Sequence, residues 1–138
     1  MTDYSEIYEL ALQMIDDPLM AQWSDSDLSA TLHNWLIQSI YYFPKFSDIL
    51  SDRDDEVESF NNTLPDILKL GLALQMKRCW LSPQISSITL TLQRSSKKES
   101  YSQAEHLKEL KALDDSIMVE LRKMMRDNTY INNEYFNN

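Results

Sequence analysis

The sequence predicts an all-α protein, a small bundle of about four helices with a long C-terminal helix. Two observations favour this fold class. Four stretches repeat apolar residues at helical spacing, and only one glycine occurs in 138 residues. Tight hairpin turns often need glycine, so its scarcity argues against most all-β folds. It also excludes the glycine-rich loops that bind nucleotide phosphates, because several of their backbone positions require glycine.

The first two helices are predicted over residues 4–15 and 27–42. Each carries one apolar stripe with a period close to 3.6 residues. Asp3 is expected to cap the first helix, and Ser26 or Asp27 the second. Pro18 and Pro44 follow the two helices, and the residue before a proline avoids helical angles. A short buried turn is expected after Pro44, and the acidic residues from Asp52 to Glu56 are expected on the surface.

The third helix is predicted over residues 64–81. It is apolar on nearly every side, which indicates a central position in the bundle. Gly71 lies inside it, and we expect another backbone to approach closely there. Ser82 and Pro83 are expected to end the helix. In residues 85–93, alternating apolar residues fit a short β-strand, while a helical spacing fits as well, so the pattern leaves both open.

The fourth helix is predicted over residues 103–128, with Ser102 and Glu105 as a capping box. Residues 1–128 would form a single helical domain, and residues 129–138 an extended C-terminal tail. That tail carries more apolar surface than a free tail needs, and Trp23 lies in the connection between the first two helices. These residues are the candidate partner interface: Tyr130, Ile131, Tyr135, Phe136 and Trp23.

Charge is distributed unevenly along the chain. The net charge is −9, and residues 1–66 carry 14 acidic and 2 basic residues, which gives −12, while residues 67–138 carry +3. This makes nucleic acid a poor primary ligand for the chain as a whole. An asymmetric charge suits contacts between unlike surfaces, including copies of the chain that meet head to tail. Basic residues that could complement the acidic half are Lys69, Lys77, Arg78, Arg94, Lys97 and Lys98.

A search for catalytic and metal-binding residues is negative. The two histidines, His33 and His106, show no spacing that would pair them with the one cysteine, Cys79. A calcium loop beginning at Asp52 would need glycine at its sixth position, where Val57 stands. We therefore expect no enzymatic activity, no cofactor and no metal. No apolar run is long enough for a membrane span, and the acidic start does not resemble a signal peptide, so we expect a soluble protein made in the cytoplasm.

Four segments of the chain resemble the neck proteins of tailed bacteriophages. They are residues 32–40 (LHNWLIQSI, followed by Phe43), 60–62 (FNN), 80–85 (WLSPQI) and 101–107 (YSQAEHL), and the resemblance spans about residues 27–128. In that family, small helical head-to-tail adaptor subunits form a ring under the portal. The motifs concern structure and include no catalytic signature.

The resemblance implies a helical-bundle subunit that assembles into a ring, commonly a dodecamer, in the neck of the virion. It implies contacts with other copies, with the portal protein and with other neck or tail proteins, a terminal segment docked on the portal, and DNA only as passing cargo in the channel. An alternative hypothesis is a small acidic phage-encoded inhibitor or regulator that binds a host protein. No membrane partner is expected under either hypothesis.

Overall fold

A computed structural model describes residues 1–93 and 97–136, with side chains for residues 1–93 and 102–126. This part of the chain contains five α-helices and one small antiparallel sheet, which confirms the all-α class. The long helix α4 (Asp66–Leu92) is central and packs against α1 (Tyr4–Met14), α2 (Asp25–Ile40) and α5 (Lys97–Phe136).

The starts of α1 and α2 are fixed in different ways. Asp3 precedes α1 but its side chain makes no capping hydrogen bond. The first helical amide, Tyr4 N–H, instead donates to the Glu58 carbonyl at 2.9 Å. In α2 the cap is Ser24, whose hydroxyl accepts from the Asp27 amide at 3.1 Å. The predicted cap at Ser26 or Asp27 is therefore wrong by two or three residues.

The connection from α2 to α4 contains the sheet. A 3₁₀ turn over Pro44–Phe46 leads into the short helix α3 (Ser47–Ser51), and its buried Phe46 and Leu50 confirm the expected turn under the core. Three two-residue strands follow the order β1-β3-β2, with β3 antiparallel to both neighbours. The strands are β1 (Thr2–Asp3), β2 (Arg53–Asp54) and β3 (Ser59–Phe60).

Helix α4 does not end at Pro83, as the sequence predicted, but continues to Leu92. Residues 85–92 are therefore helical, and the strand alternative for 85–93 is wrong. A proline inside a helix costs about 3 kcal/mol. Packing on both sides of it opposes this cost, because Leu81 is fully buried before it and Ile85 and Ile88 pack against the core after it.

Gly71 faces an aromatic ring rather than a backbone. A Cβ atom at this position would lie 3.2 and 3.3 Å from two ring carbons of Phe43, and 3.9 Å from a methyl group of Leu121. The expected close approach is confirmed, but the expectation of a backbone contact is wrong. Because Gly71 has no side chain, the Phe43 ring, just after α2, can pack directly against α4.

Helix α5 is longer than predicted at both ends. It begins at Lys97, so Ser102 lies inside the helix and the predicted capping box is wrong. It also continues through residues 129–136, where the sequence predicted an extended tail. Among the side chains described on α5, those of residues 102–126, the buried ones are Leu110, Ile117 and Leu121.

Candidate protein-docking groove

An open groove of about 610 Å³ lies where the end of α2, helix α4 and helix α5 meet. Its apolar surface comes from Phe43, Met118, Leu121 and Met125. Tyr42 forms part of its edge and is 60 % exposed. Three separated segments thus leave an apolar depression that the described residues do not fill.

The groove has a positively charged rim. Lys45, Arg78, Arg122 and Arg126 all line it, and none of the described acidic side chains does. Arg122 and Arg126 are exposed on α5. Among the described side chains, no carboxylate lies within 4.0 Å of either of these arginines.

Arg78 is held rigidly at the border of the groove. Its Nε donates to Asp114 Oδ1 at 2.8 Å, and one terminal nitrogen donates to Gln75 Oε1 at 3.1 Å. Its guanidinium also lies 5.9 Å from the centre of the Tyr42 ring. Gln75 is only 3 % exposed, so its amide oxygen needs this donor. The ion pair joins α4 to α5 and sets the shape of the groove.

A second, more polar cavity of about 660 Å³ lies beyond Arg78. Trp35, Tyr41, Cys79 and Pro83 line it. Burial raises the pKa of the Cys79 thiol, and its Sγ lies 3.9 Å from Ser39 Oγ. A thiol with a raised pKa is a poor nucleophile at neutral pH.

His33 belongs to a different cluster near the sheet. Its Nδ1 lies 3.4 Å from Glu58 Oε1, and its ring centre is 5.9 Å from that of Tyr4. The Tyr4 hydroxyl donates to Asp55 Oδ1 at 2.5 Å. This hydrogen bond lowers the pKa of Asp55, whereas burial, followed by the same bond, raises the pKa of Tyr4. The cluster attaches the β2–β3 turn to α1.

The residues chosen from the sequence as a partner interface lie on two elements, and of these residues only Trp23 has a described side chain. Trp23 follows the 3₁₀ turn Met20–Gln22 and is 40 % exposed. Tyr130, Ile131, Tyr135 and Phe136 lie on the last turns of α5, and their side chains are outside the described residues.

Two of the basic residues chosen from the sequence, Lys69 and Arg78, form ion pairs in different halves of the chain. Lys69 lies 3.8 Å from Glu6 of the acidic half and 3.8 Å from Asp66. Arg78 instead pairs with Asp114 in the second half of the chain. The side chains of Arg94, Lys97 and Lys98 are outside the described residues. Among the described side chains, the expected complement to the acidic half thus consists of two contacts of Lys69, with Glu6 and with Asp66.

The sequence analysis missed the groove itself, although two signals pointed to it. Arg78 stands in the most apolar helix of the chain, and Tyr41 and Tyr42 directly precede the buried Phe43. A charged residue in an apolar helix and adjacent exposed aromatic residues both suggest a surface where a partner binds.

Comparison with known proteins adds no relative. Neither a scan against protein-family models nor searches of the curated proteins and of the solved structures found a match. Within the described residues, no three metal-ligating side chains form a cluster. No helix of that same part is long and apolar enough to cross a membrane.

Proposed function

We propose that the chain is a virion structural protein, a head-to-tail adaptor subunit that forms a ring between the portal and the tail. Its role is to assemble rather than to catalyse a reaction. Its partners are other copies of itself, the portal protein and neighbouring neck or tail proteins, and DNA passes through the ring as cargo. It is made in the host cytoplasm and ends in the neck of the virion.

The observation that carries the proposal is the length of α5 relative to its packing. A helix of 40 residues is about 60 Å long. Among the described side chains of this helix, those that pack on the core run from Leu110 to Met125 and cover about 23 Å of it. Most helical stability in proteins comes from packing an apolar face. A helix of this length offers more apolar and polar side chains than the described core contacts use, and an adaptor ring supplies neighbouring subunits for them.

The resemblance to phage neck proteins supports the same role. Its residues belong to elements that the structure joins: residues 32–40 lie in α2, residues 80–85 in α4, and residues 101–107 in α5. Helix α4 packs against both other helices. Three of the resembling segments thus lie on α4 or on helices that pack against it.

The proposal is tested by mixing the purified chain with the portal protein of the same virion. Light scattering and negative-stain electron microscopy measure the product. We expect rings of uniform diameter with the portal. A chain that stays monomeric with and without the portal at high concentration would show that the proposal is wrong.

A truncated chain separates the requirements of assembly from those of folding. Removal of residues 129–138 leaves every described core residue in place, since those residues end at Met125. We expect the truncated chain to stay folded, with little loss of helical circular dichroism, and to lose ring assembly. Global unfolding would contradict this expectation and would place the tail in the monomer core.

A second candidate function follows from the acidic surface. Of the 14 acidic residues before residue 67, the described ion pairs involve Glu6, Asp55, Glu58 and Asp66. The excess charge therefore faces solvent and could imitate nucleic acid toward a host protein. In that case a host nuclease or polymerase would bind the chain tightly at low salt and weakly at high salt. Binding that is confined to virion proteins would exclude this alternative.

A further inference from the structure

A second exposed surface combines apolar with acidic side chains, whereas the rim of the groove is basic. The connector, defined here as residues 15–24 between α1 and α2, exposes two large apolar side chains, Leu19 at 65 % and Trp23 at 40 %. Exposed carboxylates flank them, Asp16 on one side and Asp25 on the other. The connector is thus apolar at its centre and acidic at its edges, whereas the groove has an apolar floor and a basic rim.

The connector is held in place against the fold. Asp17 accepts from Trp80 Nε1 at 3.0 Å and from the Leu19 amide at 3.0 Å, and Met20 is buried. Leu19 and Trp23 therefore project from a fixed backbone, and a partner can bind them without first ordering a loop. Binding by a preorganised segment loses less conformational entropy.

The connector and the groove lie on opposite sides of α4. Trp80, which holds the connector, is about 160° around the helix from Arg78, which borders the groove. Two complementary surfaces on opposite sides of one subunit cannot satisfy each other within that subunit. They form a head-to-tail contact between copies, which closes into a ring when the rotation allows.

We infer that the groove receives the connector of a second copy of this chain. Leu19 and Trp23 cover the apolar floor beside Phe43 and Leu121. Asp16 and Asp25 lie against Arg122 and Arg126, which have no carboxylate partner in their own subunit among the described side chains. This inference rests on the proposed ring assembly and assigns its subunit contact.

Disulfide trapping tests the contact directly. In a Cys79→Ala background, one chain carries Trp23→Cys and a second carries Met118→Cys, and the two are mixed under mild oxidation. We expect the mixed disulfide to form at least ten times faster than the disulfide between two Trp23→Cys chains. Val57→Cys in place of Trp23→Cys is the control, because Val57 is also exposed, at 66 %, and also has acidic neighbours. Equal rates for the Val57 and Trp23 variants would overturn the inference.

Exchanging the charges on the two sides of the proposed contact tests whether the basic rim binds the acidic connector. The double variant Arg122→Glu, Arg126→Glu is expected to weaken self-association at least tenfold in sedimentation equilibrium. Mixing it with the Asp16→Lys, Asp25→Lys variant is expected to restore association. Lys123→Glu on the same helix is the matched control, since Lys123 does not line the groove. A loss of association by the control equal to that of the double variant would overturn the inference.

These experiments distinguish a wrong subunit contact from a wrong adaptor role. If rings form with the portal and neither trapping nor charge exchange affects them, the assigned contact is wrong and the adaptor role stands. If the chain stays monomeric in every condition, both proposals are wrong.

Discussion

The two ends of the chain are held in the fold by different interactions. At the N-terminal end, the Thr2 hydroxyl donates to the Asn62 carbonyl at 3.1 Å and accepts from the Leu64 amide at 2.9 Å. At the C-terminal end, α5 packs through a few apolar side chains and the ion pair of Asp114 with Arg78. Hydrogen bonds of fixed geometry specify one arrangement, whereas apolar contacts tolerate adjustment. The comparison teaches that directional hydrogen bonds fix the N-terminal end, whereas the described part of α5 is held mainly by apolar packing and one ion pair.

The largest expected effect is that of Phe60→Ala in the central strand. Phe60 is fully buried, with its ring centre 4.8 Å from that of Tyr4. We expect a loss of about 3–5 kcal/mol in the free energy of unfolding, measured by urea denaturation. Leu110→Ala on α5 provides the comparison and should cost about 2 kcal/mol. A greater loss at Leu110 than at Phe60 would contradict the difference between the two regions.

Asp114→Ala tests the ion pair between α4 and α5. The substitution leaves the half-buried Arg78 without its carboxylate, and we expect a loss of about 1–2 kcal/mol in the free energy of unfolding. Asp115→Ala is the matched control, because its side chain is exposed and the effect should stay within about 0.5 kcal/mol. If the two variants are equally stable, Arg78 does not depend on Asp114.

Tyr4→Phe tests the hydrogen bond that attaches the β2–β3 turn to α1. We expect a loss of about 1 kcal/mol at neutral pH. Because the bond lowers the pKa of Asp55, its contribution is present above the ordinary aspartate pKa of about 4 and is lost as pH falls through the lowered value. Denaturation from about pH 7 down to about pH 3 should therefore bring the variant and the parent closer together. Tyr41→Phe, at an exposed site, should show no such convergence.

The smallest expected effect is that of Gly71→Ala. Alanine favours the helix by about 1 kcal/mol over glycine, but its Cβ would press on the Phe43 ring. Phe43 borders the open groove, so its ring has space to shift, and we expect a net change within about 1 kcal/mol. In a Phe43→Leu background the same substitution should become more stabilising. A double-mutant cycle by thermal denaturation measures the coupling, and a coupling of zero would show that the ring is not the constraint.

Apolar periodicity was sufficient to predict most of the helical core. Residues 4–15, 27–42 and 64–81 overlap α1, α2 and α4, and the central position of α4 is confirmed. The sheet was missed because strands of two residues have no periodicity to detect. The continuation past Pro83 was missed because its stabilisation comes from packing of Ile85 and Ile88, which a local rule on proline does not include.

The groove could not be predicted from the sequence for a related reason. Its residues come from three segments that lie far apart in the chain, such as Phe43, Arg78 and Leu121. Their adjacency depends on how α5 packs against α4, and no local pattern encodes that packing. Trp23 could be singled out because an aromatic residue in a connection between two helices is conspicuous in the sequence alone.

The pairing of β1 with β3 also has a consequence for the order of events during synthesis. Thr2 cannot find its partner Phe60 until that residue has left the ribosome, which takes about 3–12 s at common elongation rates. Helix α1 waits longer still, because it packs on α4. During this interval the nascent chain exposes its apolar stripes, and the segment that waits carries a net charge of −12. At physiological salt this charge repels another unfinished chain only within about 8 Å, so it opposes direct contact between two exposed apolar stripes.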